Sequence, residues 1–229
     1  MPTLLHIEDL WKTFPQKAQP PVVALSSISL EIEGGAFAAL SGPSGSGKTT
    51  LLTLIGGLDR PAQGKVYLEG EEITGLSQKQ LTYFRLRQIG FIFQDYNLIH
   101  SFTAAENIEY VLWLQGVQAG KRRKKAVEAA ERLGIASLLH RRPWQLSRGQ
   151  QQRVAVARAI VHRPRLVLGD EITANLDQEA GIELMKFLKE LNQEEGITFL
   201  YATHDPTMLA FAERVVKLRD GKIPENASA

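Results

Sequence analysis

Gly42-Pro43-Ser44-Gly45-Ser46-Gly47-Lys48-Thr49 follows directly on Ala36-Phe37-Ala38-Ala39-Leu40-Ser41 and runs into Thr50-Leu51-Leu52-Thr53-Leu54-Ile55. The first flank is a short apolar run without alternation, as expected of a central parallel strand buried on both faces. The second reads as a helix closed by Gly56-Gly57. A glycine-rich loop between such a strand and helix is a phosphate cradle: its glycines let backbone N–H groups wrap an anion at the positive end of the helix dipole. Lys48 reaches the β and γ phosphates, Thr49 offers its hydroxyl to Mg²⁺, and Thr50 offers another to a phosphate oxygen. At average composition the fixed positions match by chance in about one chain in a hundred of this length. The flanking strand and helix make coincidence rarer still.

Outward from the loop, Leu4 to Leu10 and Ala24 to Ile32 alternate as half-exposed strands, and the three prolines between Pro15 and Pro21 are expected to terminate both. Lys65 to Leu68 and Ile89 to Phe93 add strands. Helical candidates then occupy Thr103 to Gln115, Lys121 to Leu133 and Gly149 to Val161, with no strand between them, so residues of about 96–161 read as a helical insertion. Alternation resumes with strand Arg165 to Gly169, helix Gln178 to Glu194, strand Thr198 to Ala202, a short helix at Pro206 to Ala212 and strand Arg214 to Leu218. Strands alternating with helices predict an α/β fold with a mainly parallel sheet.

Composition narrows the function classes. The 229 residues are 44% hydrophobic and 23% charged, the balance of a folded globular chain. No apolar run reaches the roughly 18 residues of a membrane span, and Met1 to Leu10 lacks the pattern of a signal segment, so a chain neither integral nor exported is expected. With no cysteine, thiol catalysis and cysteine-held zinc are excluded, and a reducing cytoplasm fits. A formal net charge of +2 predicts no nucleic-acid partner.

Leu166-Val167-Leu168-Gly169-Asp170-Glu171 is an apolar strand ending in two carboxylates. Beside a phosphate loop, Asp170 is the natural oxygen partner of Mg²⁺, and Glu171 faces the γ-phosphate, where a carboxylate orients water for in-line attack. The third element is Leu146-Ser147-Arg148-Gly149-Gln150 at the head of a helical run, where Ser147 can N-cap the helix and Gly149 permits close approach of an anion. With this element the chain resembles the ATP-binding-cassette ATPases, whose signature is LSGGQ followed by a helix.

The resemblance spans Leu4 to about Ile223 and implies one cassette over 1–229. Its core is residues of about 1–95 and 162–229, a mainly parallel sheet with an antiparallel β subdomain, and 96–161 form the inserted helical subdomain. It further implies ATP and Mg²⁺ as ligands, with Lys48, Glu171 and His204 in catalysis, Thr49, Gln94 and Asp170 at the metal, and Ser147, Gly149 and Gln150 on the γ-phosphate of an opposing subunit. Gln94 matches the glutamine loop, His204 the switch histidine, Asp177 the aspartate loop at the dimer interface, and Phe14 the aromatic against adenine, with Trp11 as the other candidate. Two residues depart from the pattern. Arg148 replaces the first signature glycine, and Ile172 replaces the proline after the catalytic glutamate, an absence expected to loosen Glu171.

Ile55-Gly56-Gly57-Leu58-Asp59-Arg60-Pro61 and Phe93-Gln94-Asp95-Tyr96-Asn97-Leu98 resemble the branch of macrolide exporters, lipoprotein-releasing transporters and a cell-division ATPase. This implies an ATP-hydrolysing subunit on the cytoplasmic face of the inner membrane. It would dimerise on ATP, drive a separate integral permease and reach a periplasmic or extracellular adaptor through it. Tyr96 and Leu98 are expected to line a groove for a permease helix. The run Lys121-Arg122-Arg123-Lys124-Lys125 reads as the solvated start of a surface helix, with anionic lipid headgroups as the other reading. A soluble cassette acting on nucleic acid or ribosomes, which commonly carries two cassettes, a coiled-coil arm or zinc-binding cysteines, and a non-hydrolysing regulatory cassette are the alternatives.

Overall fold

The computed structural model describes residues 2–17 and 19–224; the expected domain of 1–229 therefore includes Met1, Ala18 and 225–229, which lie outside the described residues. Two sheets carry the fold. Strands β1 (Thr3–Gln16), β2 (Gln19–Glu33), β4 (Gln63–Leu68) and β5 (Glu71–Glu72) form an antiparallel sheet in the order β2-β1-β4-β5. Strands β3 (Phe37–Ser41), β6 (Ile89–Ile92), β7 (Leu166–Asp170), β8 (Thr198–Thr203) and β9 (Arg214–Lys217) form a parallel sheet in the order β6-β7-β8-β3-β9.

The parallel sheet is buried on both faces, which explains its unalternating apolar runs. Phe37, Ala39, Val167, Phe199 and Tyr201 join one core with the helices. The intervening Ala38, Leu40, Leu166, Leu168, Leu200 and Ala202 join a second core under the antiparallel sheet and α1 (Lys48–Ile55). A strand period of two thus assigns each alternate residue to a different core.

Helices α3 (Ala104–Leu114), α4 (Ala119–Arg132) and α5 (Arg148–Ile160) pack together where the helical insertion was expected, while α6 (Gln178–Glu195) and α7 (Pro206–Leu209) follow β7 and β8. The chain also forms α2 (Gln78–Gln88), which the periodicity does not reveal because Leu81 is its only fully buried residue. The available signal was Ser77-x-x-Gln80: the Ser77 Oγ accepts from Gln80 N and the Gln80 side chain returns to Ser77 N. The same device starts α3 at Thr103 and Glu106.

The expected proline break is corrected. β1 and β2 continue as a ribbon to the pair Gln16↔Gln19, because the register shifts between Phe14 and Gln16 and so leaves Pro15 out of the ladder.

Candidate functional site

The phosphate loop leaves the C-terminal end of β3, an interior strand of the parallel sheet between β8 and β9, where the strand ends open onto a crevice. Gly47 N-caps α1 with φ 102°, and a Cβ there would fall 2.9 Å from Ala24 O; at Gly42 one would fall 2.1 Å from Leu218 O. Both positions therefore exclude any side chain. The Lys48 side chain is buried at 7% exposure, and its Nζ donates to Gly42 O at 2.7 Å and Pro43 O at 3.0 Å, curling the loop around the ammonium. A cleft of about 510 Å³ opens here, lined by Pro43, Ser44, Gly45, Gly47, Lys48, Thr49 and Thr50.

The same cleft is lined by Gln94, Asp170, Glu171 and His204, so residues from 43 to 204 converge because β6, β7, β8 and β3 are adjacent parallel strands. Burial raises the Asp170 carboxyl above the usual carboxylate range; the Thr49 hydroxyl bonded to it and the Lys48 charge pull the other way, while Glu171 pushes it up. Asp170 Oδ1 is buried without a hydrogen-bond partner. An orphaned carboxylate oxygen beside a threonine hydroxyl fits a hard cation that draws its remaining ligands from phosphate and water. Among the described residues no cluster of three or more His, Cys, Asp or Glu could hold a metal by itself.

Glu171 Oε1 lies 2.8 Å from His204 Nδ1. A carboxylate only accepts, so Nδ1 carries the proton and His204 donates. Glu171 adopts φ 46°, its N–H donating to Ala202 O and its carbonyl accepting from Ala174 N, each at 3.0 Å. Ile172, expected to loosen this turn, is 4% exposed and locked into the core, so packing fixes what a proline would fix through its ring. Gln94 O accepts from Asn175 Nδ2 at 2.8 Å, tying the segment after β6 to the segment that leads to Asp177. Asp177 N-caps α6 through Ala180 N.

Other expected ligand residues stand apart. Ser147 N-caps α5: its Oγ accepts from Gln150 N at 3.3 Å and Gln150 Oε1 accepts from Ser147 N at 3.0 Å, which engages the Gln150 side chain in the cap. Among the described residues none of 146–150 lines the cleft. A Cβ at Gly149 would meet Leu176 Cδ2 at 3.5 Å, so the α5 N-terminus packs on the aspartate loop. Arg148 is exposed, with its charge near the Tyr96 phenol. Phe14 lies outside the cleft lining, but its strand partner Val22, and Val23, line it; all three are among the exposed large hydrophobic residues. Trp11 is half-buried and donates Nε1–H to Asp9.

A second groove, of about 650 Å³, opens between α2, β6, α3 and α5. Leu98 is 7% exposed and Tyr96 packs against the core, so neither of these expected docking residues lines this groove, whereas Asn97 and Ile99 do. Buried Asn107 sets this phase, accepting from Ile99 N and donating to Ile99 O and Thr103 O, a pairing that spacing along the chain does not announce. In the basic run, Arg122 and Arg123 share Glu109 of α3 at 3.2 and 3.0 Å, so an acid outside the run offsets part of its charge.

Comparison with known proteins gives this geometry its relatives. The family described as "ABC transporter" matches residues 25–174. The ABC transporter ATP-binding protein YxdL of Bacillus subtilis (strain 168) is 42% identical over 97% of this chain and 86% of its own. A macrolide export ATP-binding/permease protein MacB, from Syntrophobacter fumaroxidans, is 40% identical over 99% of this chain, which spans only 32% of that longer protein. The ATP-binding cassette MJ0796 of Methanocaldococcus jannaschii, solved as a dimer in a post-hydrolysis state bound to ADP and Pi, superimposes with a TM-score of 0.92 at 38% identity, covering 97% of each chain. From the phosphate loop, the paired carboxylates and these likenesses together, the chain belongs to the ABC transporter family, as an ATP-binding cassette with that family's ATPase fold.

Proposed function

We propose that this cassette hydrolyses MgATP as the peripheral subunit of a transporter on the cytoplasmic face of the inner membrane, with a separate integral permease as its partner. The observation that carries the reading is the convergence of Lys48, Thr49, Asp170, Gln94 and the Glu171–His204 pair in one cleft. The loop N–H groups and Lys48 bind the phosphates, Val22, Val23 and Phe14 present an apolar face to the adenine, and Thr49 and Asp170, with Gln94 nearby, hold Mg²⁺. When bound, Mg²⁺ neutralises charge on the β and γ phosphates. Glu171 orients the attacking water and takes its proton, while His204 holds that carboxylate in place and faces the γ-phosphate.

Ser147, Gly149 and Gln150 act in this reading on the nucleotide of a second copy, and the groove lined by Asn97 and Ile99 receives a permease helix. A single cassette spans the chain, its core being residues of about 1–95 and 162–229 and its helical part 96–161; any extracytoplasmic adaptor is reached only through the permease. No helix of the described residues is long and apolar enough to cross a membrane, so the spanning segments belong to the permease in this proposal.

The test is Glu171→Gln, which keeps the phosphate and metal contacts but removes the proton acceptor. We expect MgATP binding within about twofold of wild type and steady-state hydrolysis down about 100-fold. Turnover within twofold of wild type rejects the assignment.

A further inference from the structure

Gly169 is the penultimate residue of β7, paired with Ile92 of β6 and Tyr201 of β8. Its φ is not positive, so the glycine answers a packing demand and not a conformational one. A Cβ at residue 169 would lie 2.3 Å from Ile172 Cδ1 and 2.6 Å from Ile172 Cγ1, with Tyr201 Cβ at 3.3 Å. Ile172 therefore fills the volume that any side chain at 169 would claim. Between the two stand Asp170 and Glu171, the residues whose placement matters most to the cleft.

Glu171 holds its left-handed φ of 46°, a conformation that a residue with a side chain keeps only where its surroundings impose it. Its two backbone hydrogen bonds, to Ala202 O and from Ala174 N, fix the peptide planes on either side. The direction in which the chain leaves Glu171 is fixed by the next side chain, and Ile172 folds back over β7 at 4% exposure. We propose that Ile172, seated in the notch of Gly169, is the positioning residue for the Glu171 carboxylate, holding it where Oε1 meets His204 Nδ1. The pair is a knob and hole three residues apart: the glycine opens the hole, the isoleucine fills it, and the turn carrying Glu171 is clamped between them. This rests on the reading of Glu171 as the group that orients water.

The experiment is a double-mutant cycle in the full-length protein. Gly169→Ala puts a methyl group into the notch and levers Ile172 out; kcat falls about 10-fold while KM for MgATP stays within about twofold, because the phosphate loop is untouched. Gly169→Ala combined with Ile172→Ala removes the clash with Ile172, the methyl group at 169 taking over part of the volume that Ile172 filled, and about fivefold of that loss returns. A readout without nucleotide accompanies it: the nitrogen-15 resonance of His204 Nδ1 shifts in Gly169→Ala and moves back in the double variant. The series Ile172→Val and Ile172→Ala, which keep residue 169 a glycine, gives graded losses of kcat at constant KM, and carries the test should Gly169→Ala not fold.

A kcat for Gly169→Ala within twofold of wild type, a double variant no better than the single one, an unmoved His204 resonance or a flat Ile172 series each overturns the proposal. Glu171→Gln is run alongside. If it retains hydrolysis, the reading of Glu171 fails by itself, and the His204 resonance still decides whether Ile172 sets the position of that side chain.

Discussion

Asp170, proposed above to hold Mg²⁺, is expected to weaken the fold that carries it. Its carboxyl is pushed up by burial, and one of its oxygens is buried without a partner, so ionisation costs more in the ligand-free fold than in the unfolded chain. A carboxyl raised in the fold costs stability at pH values where the unfolded chain is ionised and the folded site resists ionising. Asp170→Asn removes that charge at almost unchanged volume. We expect ligand-free Asp170→Asn to melt about 2 to 4 °C above wild type. We expect added MgATP to stabilise wild type more than ATP with chelator does, and Asp170→Asn to lose this magnesium dependence. Thermal melts with and without Mg²⁺ check both statements; a lower ligand-free melting temperature contradicts the account.

At the scale of elements, the contact between α5 and β6 carries a buried imidazole outside the cleft. His162 follows α5 and lines the second groove, and burial pushes its imidazole from 6.5 down to about 4, with the Lys125 charge adding to the effect. The unfolded chain takes up this proton near pH 6.5, while the folded chain resists until about 4. The contribution is therefore intact above pH 6.5 and is lost as pH falls through that window, by about 3 kcal/mol at its limit. His162→Phe should flatten this limb. Urea midpoints of wild type and variant from pH 7 to 4.5 test it: the difference between the two should change with pH, and parallel curves would place the acid sensitivity elsewhere. Arg158, one turn earlier, is lowered to about 10 by burial and donates to Tyr96 O and Asn97 O, bracing the glutamine loop against the same helix.

At the scale of the whole molecule, the phosphate loop and the α5 N-terminus belong to one chain yet do not share a cleft. In the function proposed above a two-fold pairing would solve this, each α5 N-terminus facing the γ-phosphate held by the other copy and one isologous contact giving two equal sites. The MJ0796 cassette, solved as a dimer, has the same fold at a TM-score of 0.92. Light scattering of Glu171→Gln should report a monomer with ADP and a dimer with MgATP, and Ser147→Arg should abolish the shift by placing a bulky cation where the cap presents its N–H groups. A mass independent of nucleotide would point to a different assembly.

What the sequence determined alone was local. The strand-loop-helix of residues 36–55, the carboxylates closing β7 and the Ser147 cap each depend on neighbours within a few positions, so a short stretch of chain specifies them. The α2 cap was equally local, written in Ser77 and Gln80, but weak periodicity hid its helix. Tertiary structure decided the rest. The order β6-β7-β8-β3-β9 brings Gln94, Glu171 and His204 to one cleft. Asn107 reaches eight residues back and sets which side chains of 96–99 face the groove. Where Ile172 sits was decided there too: its side chain fills the space a Cβ at Gly169 would claim, and side-chain volume, unlike hydrogen-bonded spacing, becomes legible only when the strand and the turn folded back upon it occupy the same space.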